Sequence, residues 1–191
     1  MGHSQADKVK THDRLLDIAS RRFREAGLDG LSIADLMQEA GLTQGGFYKH
    51  FASREDLIAQ AVGHALRTSE RRSARAAQND DGAPDFHHLV DEYLDPDHRD
   101  SLGDACAVGA LLTDIPRAGE ETRQLYAKQV QRYLRGIDQL LGRDGPDSAV
   151  VLSILIGSVG LARAVDDPVL SDGILEAART YLKGAFAPTA A

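Results

Sequence analysis

At 191 residues, with 42% hydrophobic and 27% charged residues, the chain has the makeup of an ordinary soluble globular protein of one domain or two small ones. The net charge of −7 is unevenly spread. The first 58 residues hold eight Lys or Arg against nine Asp or Glu, and the remaining 133 hold fourteen against twenty, so the acidity belongs to the second part. One cysteine, Cys106, excludes an internal disulfide framework and suits a reducing compartment. The longest uncharged run, Ser148 to Ala162, is 15 residues, short of the ~20 that a membrane span needs. With a polar N-terminus that lacks an apolar signal region, a cytoplasmic location and no membrane partner are expected.

Strand signals are nearly absent. Val and Ile sit among Leu, Ala, Glu and Arg at helical spacing, so the expected fold is all-α with about nine helices. Residues 1–6 read as disordered. Lys8 to Ala26 reads as the first helix, with Leu15, Ile18, Ala19 and Phe23 inward, Arg21, Arg22 and Arg24 outward, and Gly27 ending it. Lys8, Lys10 and His12 at its start are weak candidates for touching a phosphate backbone. Leu31 to Ala61 then reads as a helix, a tight turn, a short second helix of two turns and the start of a third. Ser32 is an N-cap with Asp35 three residues on, Gly41 a helix-ending glycine, Thr43 a second cap and Ser53 a third, with Asp56 three residues on.

Two short helices joined by a Gly-containing turn form a helix-turn-helix, whose second helix enters the major groove of DNA N-terminus first. Thr43, Gln44, Gly45 and Gly46 lie at that N-terminus, where free N–H groups and the helix dipole suit a phosphate. Gln44 can read an adenine edge, and His50 can donate to a base or phosphate. Ser32, Tyr48, Lys49 and Arg54 complete the expected DNA-contacting set, as contacts that fix register rather than sequence. Phe47 and Phe51, four apart, should face inward.

GLTQGGFYKHFASREDLIAQAV resembles the DNA-binding signature of the TetR family of bacterial transcriptional regulators, and the likeness extends upstream through Leu16–Ala19, Phe23, Gly27 and Leu31–Ile33. It covers roughly the first 65 residues. Arg54 stands where the family more often has Lys. The resemblance implies an N-terminal DNA-binding domain of three helices, here residues 7–58. It also implies a helical ligand-binding and dimerisation domain, here 59–187. A homodimer would bind a pseudo-palindromic double-stranded operator and be released by a small-molecule or electrophile effector. Repression is the expected mode. Activation, or a helical interaction protein with a vestigial DNA-binding domain, are the alternatives.

The next helix should run from Ser53 to about Ala77, where the resemblance makes it the lever between domains. A loop at 79–84 and a short helix at 86–94 follow. His87, His88, Asp91, Glu92, Asp97 and His98 are a dense group of metal-ligand types without a ligand signature, so surface histidines and no metal are expected. Gly103 to Arg117 resembles the cysteine-bearing segment of one TetR subgroup, in which a helix lies beside the ligand cavity and some members sense electrophiles through the cysteine. Cys106 is therefore a sensor candidate, with a buried inert cysteine as the alternative. Gly119 to Leu141 is a long helix on which Tyr126 and Tyr133, seven apart, share a side and could line a cavity. Asp147 to Val165 is apolar nearly all round, and 171–186 is the last helix. These two resemble the family's dimer-forming pair, with Val151, Leu155, Ser158, Leu161, Ile174, Ala178 and Tyr181 expected in the interface. No phosphate loop, nucleophile elbow, zinc signature or acid–base pair is present. Neither a cofactor nor enzymatic activity is expected.

Overall fold

The computed structural model describes residues 5–186. Of the N-terminal stretch read as disordered, residues 5 and 6 are helical and 1–4 lie outside the described residues, as does residue 187 at the end of the expected second domain. The described residues form nine α-helices: α1 (Gln5–Ala26), α2 (Ile33–Glu39), α3 (Arg54–Ala76), α4 (Phe86–Tyr93), α5 (Pro96–Asp100), α6 (Ala107–Ala110), α7 (Glu120–Leu141), α8 (Asp147–Ala164) and α9 (Pro168–Ala185). Short 3-10 helices span Gln44–Lys49, Leu102–Asp104 and Ile115–Arg117.

The N-terminal head is built as its caps dictate. The Ser32 Oγ accepts from the Asp35 N–H at 3.1 Å and donates to the Asp35 carboxylate at 2.6 Å. At the other end of α2, Gly41 takes φ +68°, a left-handed conformation that a Cβ would strain. It lets the Gly41 and Leu42 N–H groups bond the Gln38 and Met37 carbonyls, closing the helix. Ser53 caps α3 through the Asp56 N–H, and the Asp56 carboxylate returns a bond to the Ala52 N–H. Inside, Leu15, Phe23, Leu31, Leu36, Met37, Phe47, Phe51 and Leu57 are sealed from solvent. Each contributes about 1.5–3 kcal/mol by burial.

The short second helix of the motif is a 3-10 helix. Gly46 N–H bonds Thr43 O and His50 N–H bonds Phe47 O, both three residues back. Two adjacent glycines forfeit about 1 kcal/mol each of α-helical preference. The tighter winding still buries both Phe47 and Phe51, whose rings lie 5.3 Å apart.

α3 runs unbroken across residue 58, so the two expected domains share one helix. Beyond it α4, α7, α8 and α9 enclose a second core that is continuous with the first. The 103–117 segment is not one helix. It runs as the single turns Leu102–Asp104, Ala107–Ala110 and Ile115–Arg117, and Gly103, Gly109 and Pro116 within them lower its preference for one continuous helix. α9 begins at Pro168 rather than 171, because Asp167 caps the Val169 and Leu170 N–H groups and Pro168 takes the first turn. α8 is long and apolar enough by length and composition to cross a membrane. Here it lies between α7 and α9, with Val151, Leu152, Leu155 and Val159 turned into the core.

Candidate DNA-binding surface and effector cavity

At the tip of the head, Thr43, Gln44, Gly45, Tyr48 and Lys49 are exposed on one surface, with Tyr48 73% exposed. The Thr43 side chain makes no cap bond, and a Cβ on Gly45 would meet nothing within 4 Å. The backbone there is therefore open to a close approach. Three expected contacts are otherwise occupied or altered. The Arg54 guanidinium donates to the Leu31 carbonyl at 2.7 Å and the Leu28 carbonyl at 2.9 Å. It clasps the α1–α2 connection to α3 instead of standing free for phosphate. The Ser32 hydroxyl is spent on its cap. The half-buried His50 is held below the ordinary histidine range by burial, with His12, Lys8 and Lys49 adding repulsion, and its Nδ1 has no protein partner. At neutral pH it is an uncharged group packed on His12 and Phe51.

Arg24, expected on the outer face of α1, is buried, and its Nε donates to the Gly103 carbonyl at 2.7 Å. A Cβ on Gly103 would lie 2.6 Å from a Glu25 carboxylate oxygen and 2.9 Å from Arg21 Cγ, so a larger residue there would displace those two side chains. The Leu28 N–H bonds the Asp114 carboxylate at 3.3 Å, so the 103–114 segment grips the end of α1 at two points.

That segment also walls a cavity. A space of about 320 Å³ is lined by Ser69, Arg72, Ser73, Tyr93, His98 and Cys106, among others. A second, of about 360 Å³, lies between α3, α4, α7 and α8 and shares Ser73, Leu89 and Tyr93 with the first. Cys106 is buried at the N-cap of α6, a helix of one turn whose dipole is correspondingly small. His98, grouped by sequence with potential metal ligands, points inward. Its Nδ1–H donates to the Tyr93 carbonyl at 2.6 Å and its Nε2 accepts the Cys106 N–H at 3.4 Å, and burial lowers its pKa. Asp91, from the same group, pairs with Lys183 and Arg179 on α9. Tyr133 lines the second cavity. Tyr126 lines neither: its hydroxyl donates to the Val108 carbonyl at 2.7 Å, and burial pushes its pKa to about 12. The seven-residue spacing put both tyrosines on one side of α7, but the side faces α6 at one end and the cavity at the other. Tyr93, Ser73 and His98 were not legible as cavity residues, because nothing in their spacing distinguishes a cavity wall from core.

Residues 15–61 match the profile of the bacterial regulatory proteins of the tetR family. The helix-turn-helix regulator TtgR of Pseudomonas putida is 31% identical over 78 residues, 41% of this chain and 37% of that protein. The transcriptional repressor BepR of Brucella suis is 27% identical over 94 residues, 49% of this chain and 44% of that protein. The crystal structure of reduced NemR from Escherichia coli superposes with a TM-score of 0.78 at 18% identity, covering 95% of this chain and 100% of the other. Residues 15–61 of this chain are a DNA-binding region of the TetR family. The chain's alignments with TtgR and BepR span well under two thirds of those relatives, and the likeness to NemR is one of fold.

Along α8 and α9 the expected dimer residues divide. Val151, Leu155 and Ala178 are buried in the subunit's own core, while Leu161 is 60% and Tyr181 57% exposed and Ser158 and Ile174 are intermediate. A helix apolar all round gives no sign of which face turns inward. The outward face of the pair carries Val150 and Leu170 beside the expected Leu161 and Tyr181.

Proposed function

We propose that this chain is a ligand-responsive transcriptional repressor, acting in the cytoplasm as a homodimer on a pseudo-palindromic double-stranded DNA operator. The observation that carries the reading is the open Thr43–Gln44–Gly45 start of the recognition helix, backed by the sealed Phe47–Phe51 pair. Gln44 reads a base edge, and Tyr48, Lys49 and the first-turn N–H groups hold phosphates. The outer face of α8 and α9 pairs with a second copy through Val150, Leu161, Leu170 and Tyr181, with Gly157, Gly160 and Gly173 allowing close helix approach. The two heads then meet half-sites about 34–36 Å apart or a multiple of that. An effector in the cavities beside α3 changes the tilt of that helix, coupling ligand and DNA by about 1–3 kcal/mol. Cys106, on the cavity wall, is the site at which an electrophile acts. BepR, named a repressor, supports the sign of the response.

The test is selection of operator DNA from a random pool by the full chain, repeated with Gln44→Ala. A palindrome should be enriched at low salt. Gln44→Ala should weaken binding to it by about 1–3 kcal/mol while sparing random DNA. Equal losses on both would remove Gln44 as a reader, and no enrichment by a folded dimer would remove the DNA-binding reading.

A further inference from the structure

Six side chains among the described residues bury a polar atom with no protein hydrogen-bond partner: Arg24, His50, His87, Gln129, Tyr133 and Asp138. Of these, Tyr133 is the one on the wall of either cavity. Its hydroxyl approaches the Ser73 hydroxyl and Cys106 thiol without reaching hydrogen-bonding geometry with either. Burial raises its pKa far above the ordinary phenol value, so it is a neutral O–H, a donor in need of an acceptor. Leaving such a group unpaired is costly, and a ligand atom that satisfies it recovers that cost on binding.

The rest of the wall limits what that ligand is. Ala77, Leu89, Ile137, Leu140, Leu152 and Leu155 give the second cavity an apolar lining. Its charges are already matched, with Glu70 and Arg132 3.0 Å apart. In the first cavity Arg72 and Asp104 are paired at 2.9 Å, and His98 has both ring nitrogens engaged and burial holding it uncharged. Glu92 stands exposed at the edge. A charged ligand group would lose its water and gain no free counter-charge. An apolar body with a single carbonyl-type oxygen meets both conditions.

We infer that the effector is an uncharged, largely apolar molecule whose one hydrogen-bond acceptor is taken up by the Tyr133 hydroxyl, between the two cavities. This rests on the effector cavity of the proposed function and adds the chemical class of its occupant. The polar end then lies beside Cys106, at the junction of Ser73, Leu89 and Tyr93, and the body occupies the space against α7 and α8.

The test uses the full-length dimer and four probes of one shape: acetylnaphthalene, ethylnaphthalene, naphthoate and naphthyl-trimethylammonium. The ketone is not a Michael acceptor, so Cys106 chemistry does not enter the readout. By titration calorimetry the ketone should bind about tenfold tighter than the ethyl compound, equivalent to about 1.4 kcal/mol, and tighter than either ion. In Tyr133→Phe that preference should vanish, with ethylnaphthalene binding unchanged. The variant should melt at or above the wild-type temperature, because an orphaned hydroxyl has been removed. A preference that survives in Tyr133→Phe would overturn the inference, as would tighter binding of either ion. So would failure of the ketone to bind a chain that still shifts its operator. Ketone binding by a chain that shifts no DNA would leave the inference standing and sink the repressor reading.

Discussion

Within residues 15–61, Phe23, Phe47, Phe51 and five further large side chains are sealed from solvent. Along α7, by contrast, Leu125, Val130, Tyr133, Leu134 and Leu140 are all only half-buried, and cavities of about 320 and 360 Å³ lie against the neighbouring helices. The interior of the head is filled with its own side chains, whereas the wall that α7 gives the body is only partly covered. A surface that must fit a DNA groove gains from a core that fixes it, since close-packed interiors have few alternative arrangements. A body that takes in a small molecule gains from unfilled space and unspent polar groups. On the proposed function, the same chain meets both needs by dividing them between its ends.

The largest test of that contrast is a pair of truncations of one kind. Leu57→Ala, in the sealed head, should cost about 2–5 kcal/mol, and Phe51→Ala about 3–5 kcal/mol. Leu140→Ala, on the half-filled wall, should cost less than half of the Leu57→Ala value. Urea denaturation measures all three, and equal losses at Leu57 and Leu140 would dissolve the distinction. Next in size is Arg54→Ala. It leaves the Leu28 and Leu31 carbonyls unpaired and should remove about 1–3 kcal/mol of stability. The salt dependence of DNA binding should keep its slope, whereas a slope reduced by about one would return Arg54 to the phosphate-contacting set. The smallest effect is on pH. Burial keeps His98 and His50 below 6.5 in the folded state, so the unfolded chain binds more protons as the pH falls. Stability should decline below about pH 6.5 and level off below the folded values. His98→Gln should flatten the part of that decline owed to the body, and His50→Gln the part owed to the head. Unfolding midpoints across pH separate the two.

Much of the head was legible in sequence. Ser32, Gly41 and Ser53 are residues whose side chain or lack of one performs the local task, so the element ends fell where they stand. What escaped depends on partners distant in sequence. Arg54 looks like a free cation until the Leu28 and Leu31 carbonyls are brought to it, and Arg24 looks like an outer-face residue until Gly103 arrives 79 positions later. The 3-10 winding of the recognition helix needed the competition between two glycines and two buried phenylalanines to be weighed in three dimensions. In α8 the periodic signal was itself missing, since apolar residues on every side leave the orientation to the neighbours.

The continuity of α3 bears on how such a protein can be altered. Leu57, Val62 and Leu66 are buried on one helix that serves the head at its start and the cavity wall at Ser69 and Ser73. One residue inserted between them would turn everything beyond it by about 100°, burying charge and exposing Leu66. A chimera that grafts this head onto another body therefore has to be spliced in register within the helix, or outside it altogether. Substitutions can accumulate along α3, but its length is fixed.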